Sequence, residues 1–528
     1  MTGFTKNLFM NKMTAERMAG RSCISSIILL FFCLSSSRAQ NDAEAFKPNT
    51  ASSLGLSIVP RLYLGETWSN NLSLKSGDGD SGWISEISPG IRVDSKSGRV
   101  KGYVDYSLHQ YIYSGNTKNS LQNLLASSAS AEVLDNFAFV DMSAAISQQT
   151  ISAFGPQSVA SGLSNSNKTE VSTYNVSPYL RGRFLNKANY EARYGFSSTR
   201  AKTLESANTN QSLYSLIMNG DELFGKLRWG TSASRQESTR NNGEETQIDD
   251  LKVSLTYSLD RQLSFSVTKG RETANYIVSQ KQSYGTSGFG VNWSPAETTR
   301  FSFNAENKLL GRMHQLTIEH RTPRTSWTYS DSKSVSISNS NTLNSTSSTL
   351  YDLLFIQFSS IEPDPIKRAQ LVRDFLKSNG LTSDPSTVNG YLTSSTSVQR
   401  TKDLSFMLLG IRDTVRFSIT KSAGHSINGS SLRVDDFSNS NNIRQNGLSV
   451  SYSHRLTQDS SLSSQYSLQR IYGDVVTQGS RTKSINLSIS SKLSQKIFAT
   501  VGARRVLSSS TVTPYQETAV LGSLTVQF

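Results

Sequence analysis

The feature that most restricts this chain is a two-residue hydrophobic alternation recurring from about residue 54 to Phe528. "LKVSLTYSL" sets Leu251, Val253, Leu255, Tyr257 and Leu259 against Lys252, Ser254, Thr256 and Ser258. "TVRFSIT" sets Val415, Phe417 and Ile419 against Arg416, Ser418 and Thr420, and "SINLSIS" repeats the pattern at Ile485, Leu487 and Ile489. A period of two puts the two sets on opposite faces of a β-strand. The polar set is mostly Ser, Thr and Asn, whereas a sandwich facing bulk water usually shows Lys and Glu there. Hydrophobic residues make up only 36% of the chain, low for a soluble protein of this length. A transmembrane barrel needs apolar residues at every second position only, and its lumen stays polar. The fold class read here is all-β membrane. It is a single antiparallel transmembrane β-barrel of about 22 strands over residues 54–528.

Two further patterns agree. Beyond the first forty residues no apolar run reaches the length of a helical membrane span. Short connectors carry turn residues, as in "SKSG" (95–98), "DN" (135–136), "NK" (186–187), "SPAE" (294–297) and "TQDS" (457–460). They alternate with longer polar stretches such as 70–82 and 151–170, as periplasmic turns and extracellular loops do. Tyr111, Tyr113, Trp229, Trp293 and Trp327, near strand ends, are candidates for interface girdles.

Residues 1–39 read as a signal peptide: Lys6, Lys12, Arg17 and Arg21, then "CISSIILLFFCL", then "SRA" before Gln40. Both cysteines lie in that segment. It also holds five Lys/Arg and one acid, so its removal lowers the net charge from +14 to +10. Residues 40–53 are expected to be a periplasmic N-terminal segment. At the other end, "LGSLTVQF" places Val520, Leu524, Val526 and Phe528 on one parity. An aromatic-ended strand of this kind resembles the signal read by the barrel assembly machinery, with Phe528 as its key residue. The expected location is the outer membrane of a Gram-negative cell, in contact with its lipid.

One segment breaks the alternation. In residues 347–380, Asp364 stands at an N-cap position, Pro365 at the first helical position and Gly380 past the end. Ile366, Ala369, Val372, Phe375 and Leu376 form an apolar stripe opposite Lys367, Arg368, Arg373 and Lys377. The segment is predicted to be a helical insertion, either a plug in the lumen or a cap on the rim.

Motifs for catalysis are weak. None of the five histidines forms a metal-binding pair, and His425 beside Ser426 means little in so Ser-rich a chain. "GDGDSG" (77–82) is similar to a calcium loop but lacks its third ligand and distal glutamate, so it reads as a flexible loop. No catalytic residue, metal site or cofactor is assigned, and the expected class is not an enzyme. The parity opposite the apolar residues is more informative. It holds Arg92, Arg181, Arg183, Lys226, Arg228, Lys252, Arg321, Arg416 and Arg504. Basic side chains inside a pore attract carboxylates or phosphates, so anionic polysaccharide or solutes are candidate partners. Charges solvated at the periplasmic rim are the ordinary alternative. Nucleic acid is not an expected partner of an exported barrel.

Several phrases carry a family resemblance: "VPRLYLGETWSNNLSL", "WISEISPGIRVDSKSGRVKGYVDYSLHQYIYSG", "FVDMSAAISQQTISAFGPQ", "PDPIKRAQLVRDFLKSNG" and "VQRTKDLSFMLLGIRDTVRFSITKS". Together they resemble an outer-membrane family associated with PEP-CTERM/exosortase systems, found near exopolysaccharide loci. The resemblance covers about Leu54 to Phe528 and implies location and company, with no active-site assignment. The basic lumen parity and the amphipathic insertion point to a porin-like pore or export component, with a structural surface protein without transport activity as the alternative.

Overall fold

The computed structural model describes residues 55–528, apart from 78, 97, 161, 186, 222–224, 242–243, 278–279, 338–339, 394, 428–434, 475–478 and 511–512. Between 342 and 390 it describes only Leu354, Phe355, Val372 and Gly390. The chain divides into Met1–Ser52 and Ser53–Phe528. The expected signal peptide (1–39) and periplasmic segment (40–53) lie outside the described residues. So does the helical insertion (347–380), except that Leu354, Phe355 and Val372 have helical backbone and Leu354 and Val372 are fully buried.

Ser53–Phe528 is a closed antiparallel barrel of 22 long strands. It runs from β1 (Leu56–Ser69), β2 (Gly82–Lys96) and β3 (Val100–Tyr113) round to β23 (Ile497–Ser510) and β24 (Tyr515–Gln527). Each long strand pairs with its sequence neighbour, and β15 (Thr325–Ser336) pairs directly with β18 (Ser397–Leu409). Two short strands, β16 (Ser340–Asn341) and β17 (Tyr391–Leu392), fall between them. Closure is made by β1 and β24, with Leu64 opposite Leu524 and Trp68 opposite Val520. No lateral edge is left to recruit another strand.

Directly opposite residues share a face, so the register fixes which parity is outward. Leu251, Val253, Leu255 and Tyr257 of β10 (Glu245–Ser258) are 46–55% exposed and point out. Their neighbours Lys252 and Ser254 point into the lumen. The predicted turns join the strand ends on the side of the β1–β24 termini, which makes that side periplasmic. Asn136 turns the "DN" connector with φ 56, a left-handed conformation that Asn tolerates better than most residues. Not every outer connection is a long loop. β13 (Thr299–Lys308) and β14 (Gly311–Arg321) are joined by two residues, with Gly311 at φ 92. The aromatic girdle expectation divides. Trp293 and Trp327 are outward and exposed, but Tyr111 (2% exposed) and Tyr113 (7%) point into the lumen. They pack there with Leu72, Leu163, Val506 and Tyr515, because the loops after β1 and β5 (Ala138–Thr150) fold inward over them.

Candidate functional site: the lumen and its outer closure

All nine basic residues read from the sequence fall on the lumen parity, but they do not form one ring. Arg92 Nε and Nη2 donate to Asp94 at 2.9 and 2.8 Å, and Nη1 reaches Asp105 at 3.3 Å. Asp105 also accepts from Arg61 Nη1 at 3.0 Å. Lys252 Nζ lies 3.0 Å from Asp250 and 2.8 Å from Glu306, while Lys308 Nζ bridges Asp250 (2.9 Å) and Glu272 (3.3 Å). Arg504 makes a two-point pair with Glu517, 2.7 Å and 3.1 Å, both side chains buried. These three are offset by carboxylates on their own and neighbouring strands. Sequence reading missed those partners because their pairing depends on register.

Five others sit at the periplasmic rim. Arg181 covers the Phe139 ring at 4.0 Å, and Arg183 pairs with Asp221 at 2.8 Å. Lys226 donates to the Leu259 carbonyl, Arg228 to the Ser258 hydroxyl and Arg321 to the Glu297 carbonyl. Arg416 is buried near the same end of β19 (Asp413–Ser426). The lumen is thus an ion-pair network above a basic inner rim.

One lumen cluster has an acid–base–hydroxyl order. His109 Nδ1 is 2.7 Å from Glu86 Oε1, and its Nε2 is 2.9 Å from Ser107 Oγ. Ser88 Oγ also contacts both Glu86 and His109 Nδ1, and Ser107 is only 4% exposed. The cluster satisfies buried polar atoms on the barrel wall. Among the described residues no group of three or more His, Cys, Asp or Glu is placed to hold a metal ion. A concavity of ≈ 950 Å³ lies on the outward face, where Ala138, Ala192 and Ala233 leave a shallow floor between Leu180, Tyr214 and Leu251.

The outer mouth is crossed by the chain itself. Residues 391–393 and 395–397 form a strap held to several walls. Tyr391 pairs in parallel with Thr150 of β5, and Leu392 is fully buried with Val171 of β6 (Lys168–Phe184), Ala201 of β7 (Ala188–Ala201) and Ala207 in the loop after β7. Thr393 Oγ1 and Ser395 Oγ donate to Asp435 Oδ2 at 2.8 and 3.0 Å. Thr396 Oγ1 accepts from Arg240 Nη2 at 3.1 Å. The loop after β5 also meets the loop after β19. Ser152 Oγ and the Ala153 amide both donate to Asp436 at 2.6 Å. Ala153, Tyr391, Phe437, Ile443 and Ile471 complete an apolar cluster. Counted round the 22 strands, the loop after β5 and the loop after β19 lie about half the circumference apart, so these contacts bridge opposing walls.

No family model and no curated protein matches this chain. Solved structures similar in fold include the siderophore receptor PirA from Pseudomonas aeruginosa, 11% identical, with TM-score 0.43, over 89% of this chain and 80% of that one. A ferric enterobactin receptor (PfeA) mutant from the same organism is 10% identical, with TM-score 0.45 and the same coverages. The FrpB iron transporter of Neisseria meningitidis is 12% identical, with TM-score 0.37, over 89% and 82%. The exposed apolar parity, the closed 22-strand sheet and the two classes of connector together make this chain an outer-membrane β-barrel whose outer mouth is crossed by its own loops.

Proposed function

We propose that this protein is an outer-membrane pore or export component, closed at rest by its outer loops, and that it serves exopolysaccharide traffic of the exosortase-associated kind. The observation that carries the reading is the strap across the outer mouth. It is held by polar contacts to Asp435 and Arg240 together with the buried Tyr391 and Leu392 side chains, all of them outside the barrel wall's own strand ladder. The basic inner rim favours anions leaving or entering at the periplasmic end. A structural surface protein remains the competing role. In planar bilayers the intact protein should show small or intermittent conductance with anion preference. Asp435→Ala, which cuts both contacts to the strap, should raise the conductance severalfold. A correctly assembled Asp435→Ala barrel that stays silent, with normal polysaccharide export in a null strain, would favour the structural role.

The closure should also respond to pH. Burial raises the Asp436 pKa above its ordinary 3.8, outweighing the stabilising hydrogen bonds from Ser152 and Ala153. A raised carboxyl pKa means the closed form binds more protons than the open form between the two values. Closure is therefore strongest below pH 3.8 and weakens as pH rises from there through the raised value. Acidification should lower the open probability, and Asp436→Asn should flatten that dependence. An unchanged pH profile in the variant would remove Asp436 from the closure.

A further inference from the structure

The outward face is not uniform in charge. One cross-strand row joins Asp331 of β15, Lys402 of β18, Lys421 of β19, Asn446 of β20 (Asn442–Arg455), Arg470 of β21 (Ser460–Tyr472) and Arg481 of β22 (Gly479–Lys492). Each residue lies directly opposite the next. The row is outward, because two residues nearer the periplasm the same register aligns Tyr329, Leu404, Ile419, Leu448 and Leu468 on the lipid face.

Two of its pairs, Lys402 with Lys421 and Arg470 with Arg481, set like charges face to face, which weakens a sheet. Among the described residues the ion pairs of this row all end on Asp331. Arg400, one step further out, reaches it at 2.7 Å, and Lys402 at 3.7 Å. Arg470 and Lys421 are exposed. Lys402 precedes the periplasmic turn residue Gly410 by eight positions. At a rise of about 3.3 Å per residue and a tilt of about 40°, that is roughly 20 Å up an apolar band about 25 Å tall. Long basic side chains at that height extend their charges outward to the headgroup layer while their stems stay in hydrocarbon.

We infer that this row binds the phosphates of a phosphorylated glycolipid of the outer leaflet, the lipid A portion of lipopolysaccharide. The row spans six strands, about 24 Å at 4.8 Å per step, wide enough to engage separated phosphate groups on one face. Elsewhere on the outward face Arg235 is paired at 2.7 Å with Asp249. The inference does not depend on whether the barrel conducts.

The test titrates the purified full-length protein in detergent with bisphosphorylated lipid A, with dephosphorylated lipid A and with inorganic phosphate. Bound lipid is read by native mass spectrometry and stability by thermal melting. Bisphosphorylated lipid A should stay bound and raise the Tm, and the other two ligands should do neither. Combining Lys402→Gln, Lys421→Gln, Arg470→Gln and Arg481→Gln should weaken binding at least tenfold. It should also raise the lipid-free Tm, since the facing like charges are gone, an effect that simple damage would not produce. The pair Lys402→Arg and Lys421→Arg should retain binding, and so should Arg235→Gln. If the fourfold variant fails to assemble, as judged by heat-modifiable migration, Lys402→Gln with Lys421→Gln carries the same test. Equal binding of the dephosphorylated lipid, an equal response to inorganic phosphate, or undiminished binding by the glutamine variants would overturn the inference.

Discussion

Glu517→Ala is expected to destabilise the barrel by about 3–5 kcal/mol, the usual cost of leaving one member of a buried ion pair alone. Glu517 is fully buried and holds Arg504 through two contacts, 2.7 and 3.1 Å. Its Oε1 also accepts from Ser69 Oγ at 3.2 Å. Those three residues belong to β24, β23 and β1, so the Ser69–Glu517 hydrogen bond crosses the β1–β24 seam beside the ion pair. Replacing both partners, Arg504→Met with Glu517→Leu, should recover most of the loss because no charge is then stranded. Urea unfolding in lipid bilayers measures both variants. A single variant as stable as the parent would show that the seam does not rely on this pair.

A charge on the outward parity should be nearly as damaging. Val253→Arg, on a residue 52% exposed to lipid, is expected to cost about 2–4 kcal/mol near mid-membrane. Ser254→Arg, the next residue, is half-buried on the polar lumen face between Gly230 and Thr268, and should cost well under about 1 kcal/mol. Equal assembly defects in the two would contradict the face assignment. Sequence alone suggests Phe417 and Ser418 as the natural pair for this comparison. The structure argues against it: Ser418 is only 3% exposed, packed on a closed sector of the lumen wall. Arginine there would fail for lack of space, whatever the face.

That contrast marks where sequence reading stops. Strand identity, face and turn positions were legible because they are local. A two-residue period fixes which side chains share a face, and turn residues such as Asp135 and Asn136 act within a few positions. The strand number followed from the same count, since β1 to β24 are nearly all joined to their sequence neighbours. The basic residues of the lumen were legible as a parity. Their partners were not. Whether Arg504 meets Glu517, or Lys252 meets Glu306, depends on inter-strand stagger, which alternation leaves undetermined. The outer closure was invisible for a stronger reason. Tyr391, Thr393, Asp435 and Asp436 lie in irregular, Ser- and Asn-rich connections with no period to read. Their contacts join positions such as Ser152 and Asp436, which only closure of the sheet on itself brings face to face. The row from Lys402 to Arg481 is an intermediate case. Each charge is visible on its own strand, but only the register sets the like charges opposite one another. Local periodicity determined what each strand is. The stagger and closure of the whole sheet decided what each strand meets.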